Sequence, residues 1–235
     1  MPGLLMVLSL STVVAAGLPS TPPSVNLRLC VSGQPLTAQG VGVFQQRVMD
    51  AAANLPLQID PYVAPRMRCM METQRGVADA LIGVFTPERR DWLVYPMRNG
   101  RPNADLSVGS IQVRVYRRVG ASVDWDGQSF SGLEGQALGL KYGSSYGAGL
   151  AQLGVALDDR AISNEQLITK LLRGRVAAIL LTDEAQADVA KIAPGQIEAV
   201  PRIYSSMLLY LVFTKDFERR NPAVVQQLWS NLRSR

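Results

Sequence analysis

One order of elements occurs twice in this chain and constrains its fold more than any other feature. Arg75-Gly76-Val77 leads into a short apolar run at 77–84, and the chain breaks at Thr86. About a hundred residues later, Arg173-Gly174-Arg175-Val176 leads into the run RVAAILL, which ends at Thr182-Asp183-Glu184. In both copies the glycine stops a helix, because it takes the left-handed residue after a helix C-terminus at little cost. The apolar run is rich in strand formers, and polar residues end it. The spacing is too long for a short-period repeat. It predicts two similar α/β lobes whose polar turns meet across a cleft. The carboxyl edge of an open α/β sheet, where such turns lie, is where these sheets bind ligands.

The remaining sequence fits that frame. A strand is expected at 26–31, a polar loop at 32–40, and a helix at 42–54 with Phe44, Val48, Met49 and Ala52 on one face. A second strand starts at 57–59, Pro61 and Pro65 punctuate the chain, and a helix follows at 67–74. Its methionines, Met67, Met70 and Met71, are expected to pack on the sheet and to hold no cofactor. This strand–helix–strand rhythm implies parallel βαβ units. Residues 111–118 alternate as a strand, 123–136 are turn-rich, and 138–142 form another strand. Gly143-Ser144-Ser145-Tyr146-Gly147 then opens a helix; it reads either as an anion-binding helix end or as an ordinary cap. Ser163-Asn164-Glu165-Gln166 is a capping-box pattern. MLLYLVF at 207–213 reads as a strand buried on both faces. Asn221-Pro222 starts a final helix with Val224, Val225, Leu228, Trp229 and Leu232 in one stripe.

Composition narrows the function. The chain has 24 Lys and Arg against 19 Asp and Glu, a net charge of +5, and no histidine. Basic residues are not clustered with aromatics, so nucleic acid is not an expected partner. The absence of histidine removes His-based triads and the usual zinc sites, and no catalytic or metal-binding residue is expected. Residues 4–16 form an uncharged apolar run with a small-residue pattern at Val14 and Ala16. We read residues 1–16 as a signal peptide cut after Ala16, with no cysteine there for a lipid anchor; the alternative is a buried core helix, against which the Pro-rich stretch at 18–23 argues. In an exported chain the two cysteines, Cys30 and Cys69, invite a disulfide between the first strand and the helix before Gly76. The alternative is two buried free thiols.

The order G-V-A-D-A, T-P-E-R and Y-P between Gly76 and Pro96 resembles the bacterial extracellular solute-binding proteins of family 3. These are the periplasmic amino-acid receptors of ABC transporters. The resemblance runs from about Val25 to the C-terminus. It implies an α/β, two-lobed periplasmic binding protein fold of type II, each lobe a sheet flanked by helices, with a two-strand hinge. Lobe 1 would hold 25–111 and 204–235, and lobe 2 would hold 112–203, with crossings near 110–116 and 200–204. The resemblance implies that Arg89, in the T-x-x-R turn, grips a ligand carboxylate, for which its planar fork is suited. Arg89 alone also reads as a surface arginine. Ser144 and Ser145 match the family's G-T-T turn. Asp183 would accept the ligand's ammonium, and it also reads as a helix N-cap. A hydroxyl position that lines the site in the family falls on Val84, so one side-chain hydrogen bond is lost there. The loop at 32–40 lacks the aromatic residue that packs on the ligand in that family. The implied role is a monomeric periplasmic receptor that carries an amino acid or related carboxylate to an ABC permease, without a cofactor. A ligand-sensing adaptor for a membrane sensor, and a dehydratase-like enzyme on the same fold, are the alternatives.

Overall fold

The computed structural model describes residues 25–32 and 42–233. The leader expected at 1–16 and nearly all of the 32–40 loop lie outside the described residues. Chain order begins with β1 (Val25–Ser32), α1 (Val43–Ala52), β2 (Leu57–Ala64), α2 (Arg66–Gln74) and β3 (Ala80–Val84). β1 pairs in parallel with both β2 and β3, the βαβ layout the rhythm predicts. β2 runs straight through Pro61, which the sequence reading took as punctuation. It lies at the sheet's edge, where a missing backbone N–H breaks no ladder.

A 3-10 turn (Pro87–Asp91), β4 (Leu93–Val94) and a small ribbon, β5 (Met97–Arg98) with β6 (Arg101–Pro102), lead to the long strand β7 (Gly109–Arg118). The turn-rich segment contains a second ribbon, β8 (Asp124–Trp125) with β9 (Phe130–Ser131). The next unit is β10 (Leu138–Lys141), α3 (Gly147–Gln152), β11 (Leu157–Ala161), α4 (Asn164–Leu172) and β12 (Ala178–Thr182). β10 pairs in parallel with β11 and β12. After it come α5 (Gln186–Ile192), β13 (Ile197–Ala199), β14 (Ser205–Thr214), α6 (Lys215–Arg220) and α7 (Pro222–Leu232).

The repeated helix stop is realised twice in the same way. Gly76 (φ 72°) and Gly174 (φ 68°) are left-handed. The next N–H groups, of Val77 and Arg175, reach back to the carbonyls of Glu72 (2.8 Å) and Lys170 (3.0 Å), closing the helix ends.

The lobes do not have separate sheets. β7 and β14 are antiparallel partners and tie all the main strands into one curled sheet, ordered β11-β10-β12-β7-β14-β3-β1-β2. Each long strand serves two neighbours. β7 pairs with β14 over residues 109–113 and with β12 over 113–117. β14 pairs with β7 over 205–209 and with β3 over 209–213. The two crossings pair because they run side by side, so the ladder continues through the hinge while packing divides around it. On one side Leu27, Leu29, Leu211 and Phe213 meet Leu228 and Trp229 of α7. On the other side β12 is covered on both faces: Leu180 packs with Val113, Val115 and Leu138, and Ile179 and Leu181 pack with Leu167, Ile168 and Leu171 of α4. Burying each such side chain contributes about 1.5–3 kcal/mol. A small cluster, Val84, Ile111 and Leu209, sits where β3, β7 and β14 meet.

Cys30 and Cys69 are bridged, with Cα atoms 5.5 Å apart, and this staples the end of β1 to α2. The methionines differ from expectation. Met70 packs beside Leu81 and Tyr95, Met71 is exposed, and Met67 lies against Gly143, beyond β10. A helix presents only one face to its sheet, and Met67 falls off that face.

Candidate functional site

The register places two sets of strand ends at one spot. β3 ends at Val84, opposite Leu209 of β14. β12 ends at Thr182, opposite Val113 of β7. Between these points lies only the β7–β14 ladder, from Ser205–Val113 to Leu209–Gly109. Four residue steps of strand separate the two ends, about 14 Å. β3 and β12 approach the ladder from opposite directions, so the turns after them face each other over it. The ends of β2 and β10 lie in the same two rims, because those strands run parallel to β3 and β12 within their units.

Four charged side chains converge there. Arg66, the first residue of α2, follows β2, and Arg89 follows β3; both line one small recess with Gly83 and Ile82. Lys141 ends β10, and Glu184 follows β12. Arg66 lies within electrostatic range of Arg89, Glu184, Tyr146 and Tyr95, so the two rims are close at this point. Arg66 and Lys141 keep some contact with solvent and Glu184 more, but protein surrounds all three. Burial makes the Arg66 guanidinium easier to deprotonate than usual, and the Arg89 charge adds to this. Burial lowers the Lys141 ammonium too; Glu184 opposes that shift and Arg66 reinforces it. Burial raises the Glu184 carboxyl, as does neighbouring Asp183, against the pull of Lys141 and Arg66. All three shifts disfavour the charged form, and burial is the largest cause of each.

The expected site residues fall into two groups. Arg89 lies beside Arg66, donates from Nη1 to the Val84 carbonyl (3.2 Å) and sits against the Tyr95 hydroxyl. Val84 thus serves through its carbonyl, which also accepts from the Tyr95 hydroxyl at 3.3 Å, while its side chain is buried with Ile111 and Leu209. Asp183 borders Glu184 and Tyr116, and its Oδ1 is buried without a hydrogen-bond partner. The two serine hydroxyls are engaged within the turn. The Ser144 hydroxyl donates to the Lys141 carbonyl at 2.7 Å, and the Ser145 hydroxyl points to the Met207 sulfur at 3.7 Å. α3 starts only at Gly147, is six residues long and has Tyr146 at its cap. The tight turn after β10 uses the serines internally before the helix begins.

Sequence reasoning missed Arg66, Lys141, Glu184 and Tyr146. A signal for them existed: each lies at or just beyond the carboxyl end of a parallel strand. Glu184 and Tyr146 fall in the turns named after β12 and β10 but were given no role, and Arg66 and Lys141, at the ends of β2 and β10, were not weighed. Among the described residues no group of three or more His, Cys, Asp or Glu is placed to hold a metal ion. No helix among them is long and apolar enough to cross a membrane.

The fold is that of the two-lobed periplasmic binding proteins. No protein-family profile matches the chain, and no curated protein sequence matches it. Solved structures do. The Gly52Ala mutant of arginine-bound ArgBP from T. maritima is 16% identical, with a TM-score of 0.68, covering 88% of this chain and 94% of that one. The GluR0 ligand-binding core from Nostoc punctiforme in complex with L-glutamate is 14% identical, with a TM-score of 0.64, covering 88% and 96%. A histidine kinase sensor domain with similarity to periplasmic binding proteins is 10% identical, with a TM-score of 0.71, covering 90% of each chain. The likeness to all three is one of fold.

Proposed function

We propose that this protein is a solute-binding receptor that closes around a small polar ligand, an amino acid or related carboxylate, and delivers it to an ABC permease from the periplasm. The observation that carries the reading is the charge pattern of the cleft. Arg66 and Arg89 on one rim have no ion-pair partner among the described residues, and the carboxylates of Asp183 and Glu184 stand on the other rim. A zwitterion complements that pattern, its carboxylate meeting the guanidinium fork and its ammonium the acidic turn. The fold shared with proteins described as bound to arginine and to L-glutamate supports the same ligand class. In this reading 25–111 with 204–235 form one lobe and 112–203 the other, and β7 and β14 flex as the hinge. Asp183 and Glu184 share the ammonium, and Val84 contributes only its carbonyl, by holding Arg89. Ser144 and Ser145 shape the turn that carries Lys141.

Calorimetric titration of the purified protein with amino acids and small carboxylates tests this. Arg89→Ala should weaken the ligand that binds by about 2–5 kcal/mol, the cost of leaving its carboxylate buried and unpaired. Arg89→Lys should recover only part, because the planar fork is gone. Asp183→Asn should weaken ligands with a free ammonium and spare simple carboxylates. Binding unchanged by Arg89→Ala sinks the reading.

A second reading, a ligand-sensing adaptor for a membrane sensor, is supported by the likeness to the histidine kinase sensor domain. Both readings share the closing step and part at the partner. Ligand-dependent transport by a reconstituted permease supports the first, and ligand-dependent binding to a sensor's outer domain supports the second.

A further inference from the structure

We propose that the ligand carries two acidic groups, and that Arg66 is the residue that binds the second of them. This deepens the receptor reading and rests on it. Arg66 makes no hydrogen bond or ion pair with any described residue, and its Nε is buried without a partner. A guanidinium offers five N–H donors in a fixed fork. Leaving it empty in a partly desolvated cleft is costly, and the receptor reading assigns its partner to the ligand. Arg89 does not fill that role for it. The two guanidiniums repel, and Arg89 already spends one donor on the Val84 carbonyl.

The charge count leads to the same ligand. Arg66, Arg89 and Lys141 bring three positive charges to the cleft against Asp183 and Glu184, and Arg114 stands beside Tyr116 as Asp183 does, so positive charge is in excess. Asp188 lies near Lys141 but is tied to the Asn164 amide at 2.6 Å. A neutral zwitterion would leave that excess uncompensated when the rims close. A ligand with two acidic groups and one ammonium has a net charge of −1 and offsets that excess better than a neutral zwitterion. A plain diacid meets the two arginines and leaves the acidic turn to Lys141. Met67 of α2 against Gly143 shows how closely the two rims approach, which strips water from the groups between them.

The test is titration of the whole protein with L-glutamate, L-aspartate, glutarate and succinate, beside the amides L-glutamine and L-asparagine. The amides keep the shape of the amino diacids and lose one charge. One diacid should bind at least about tenfold more tightly than its amide, as expected when a desolvated charge loses its partner. Arg66→Gln should collapse that preference below about threefold by weakening the diacid and sparing the amide. Arg66→Lys should restore part of it. Arg66 has no hydrogen-bond or ion-pair partner among the described residues, so Arg66→Gln should melt no lower than wild type without ligand, and Arg66→Lys serves as the second variant. If the amides bind as tightly as the diacids, or Arg66→Gln weakens acid and amide alike, this inference is overturned and the receptor reading stands. If no amino acid or carboxylate binds at all, both are overturned.

Discussion

Removing the disulfide should cost this protein more stability than any single cleft substitution. The bridge closes a chain separation of 39 residues. In the loop-entropy account a ring of that size is worth about 4 kcal/mol. Both cysteines are buried, so replacing the pair by alanine also removes two packed sulfurs, about 1 kcal/mol each. Reduction with the thiols left in place should therefore cost about 4 kcal/mol, and Cys30→Ala/Cys69→Ala about 6 kcal/mol. With a urea m-value of about 3 kcal/mol per M, the reduced protein's midpoint should fall by about 1.3 M. The melting temperature should drop by about 8–16 °C. The assay is urea unfolding followed by tryptophan fluorescence and far-ultraviolet circular dichroism, with coincident transitions as the condition for using these values. A fall of less than about 0.3 M at unchanged m refutes the reasoning, because the bridge would then constrain little of the unfolded chain. Arg66 lies three residues before Cys69 on the same helix, so ligand affinity should fall with reduction as well.

Two further outcomes follow from the cleft. Gly143→Ala places a Cβ on a residue at φ 72° and against the Met67 side chain. It should weaken ligand binding severalfold by hindering closure, with only about 1 kcal/mol lost from the unliganded protein, as calorimetry and melting would read. Glu184→Gln removes a carboxyl held above its usual range by burial and by Asp183. A raised folded-state carboxyl contributes stability below the unfolded glutamate range and loses it as pH rises through the folded value. The variant should therefore melt above the unliganded wild type at pH 7, and the gap should close as pH falls below that range. A gap that widens toward acid would contradict the assignment.

Much of the fold was legible because it follows from local chemistry. The two glycine stops, the Ser163 cap that accepts from the Gln166 N–H at 3.1 Å, and the α7 stripe of Val225, Leu228, Trp229 and Leu232 each depend on neighbours a few positions away. The Cys30–Cys69 bridge was reachable from the cysteine count and the order strand, loop, helix. The cleft was legible only in part. Arg89 and Asp183 were singled out by the family resemblance of two turns, and each stands beside another charge of its rim, Arg66 or Glu184. At Ser144 and Ser145 a glycine and two hydroxyls before a helix suit either a free anion site or a closed turn, and in the structure the hydroxyls meet the Lys141 carbonyl and the Met207 sulfur.

The sequence by itself determined that the chain builds two α/β units, where their helices stop, and which strands are buried on both faces. These properties reside in periodicity and in residues such as Gly76 and Gly174. Only the tertiary structure decided which charges meet. Arg66 and Glu184 are 118 positions apart in sequence (184 − 66), and no local pattern links them. They come together because β7 and β14 pair with each other for five residues and then part to different neighbours. That exchange of partners turns two sets of parallel strand ends toward one ladder, and long-range strand pairing of this kind leaves no periodic mark on the chain.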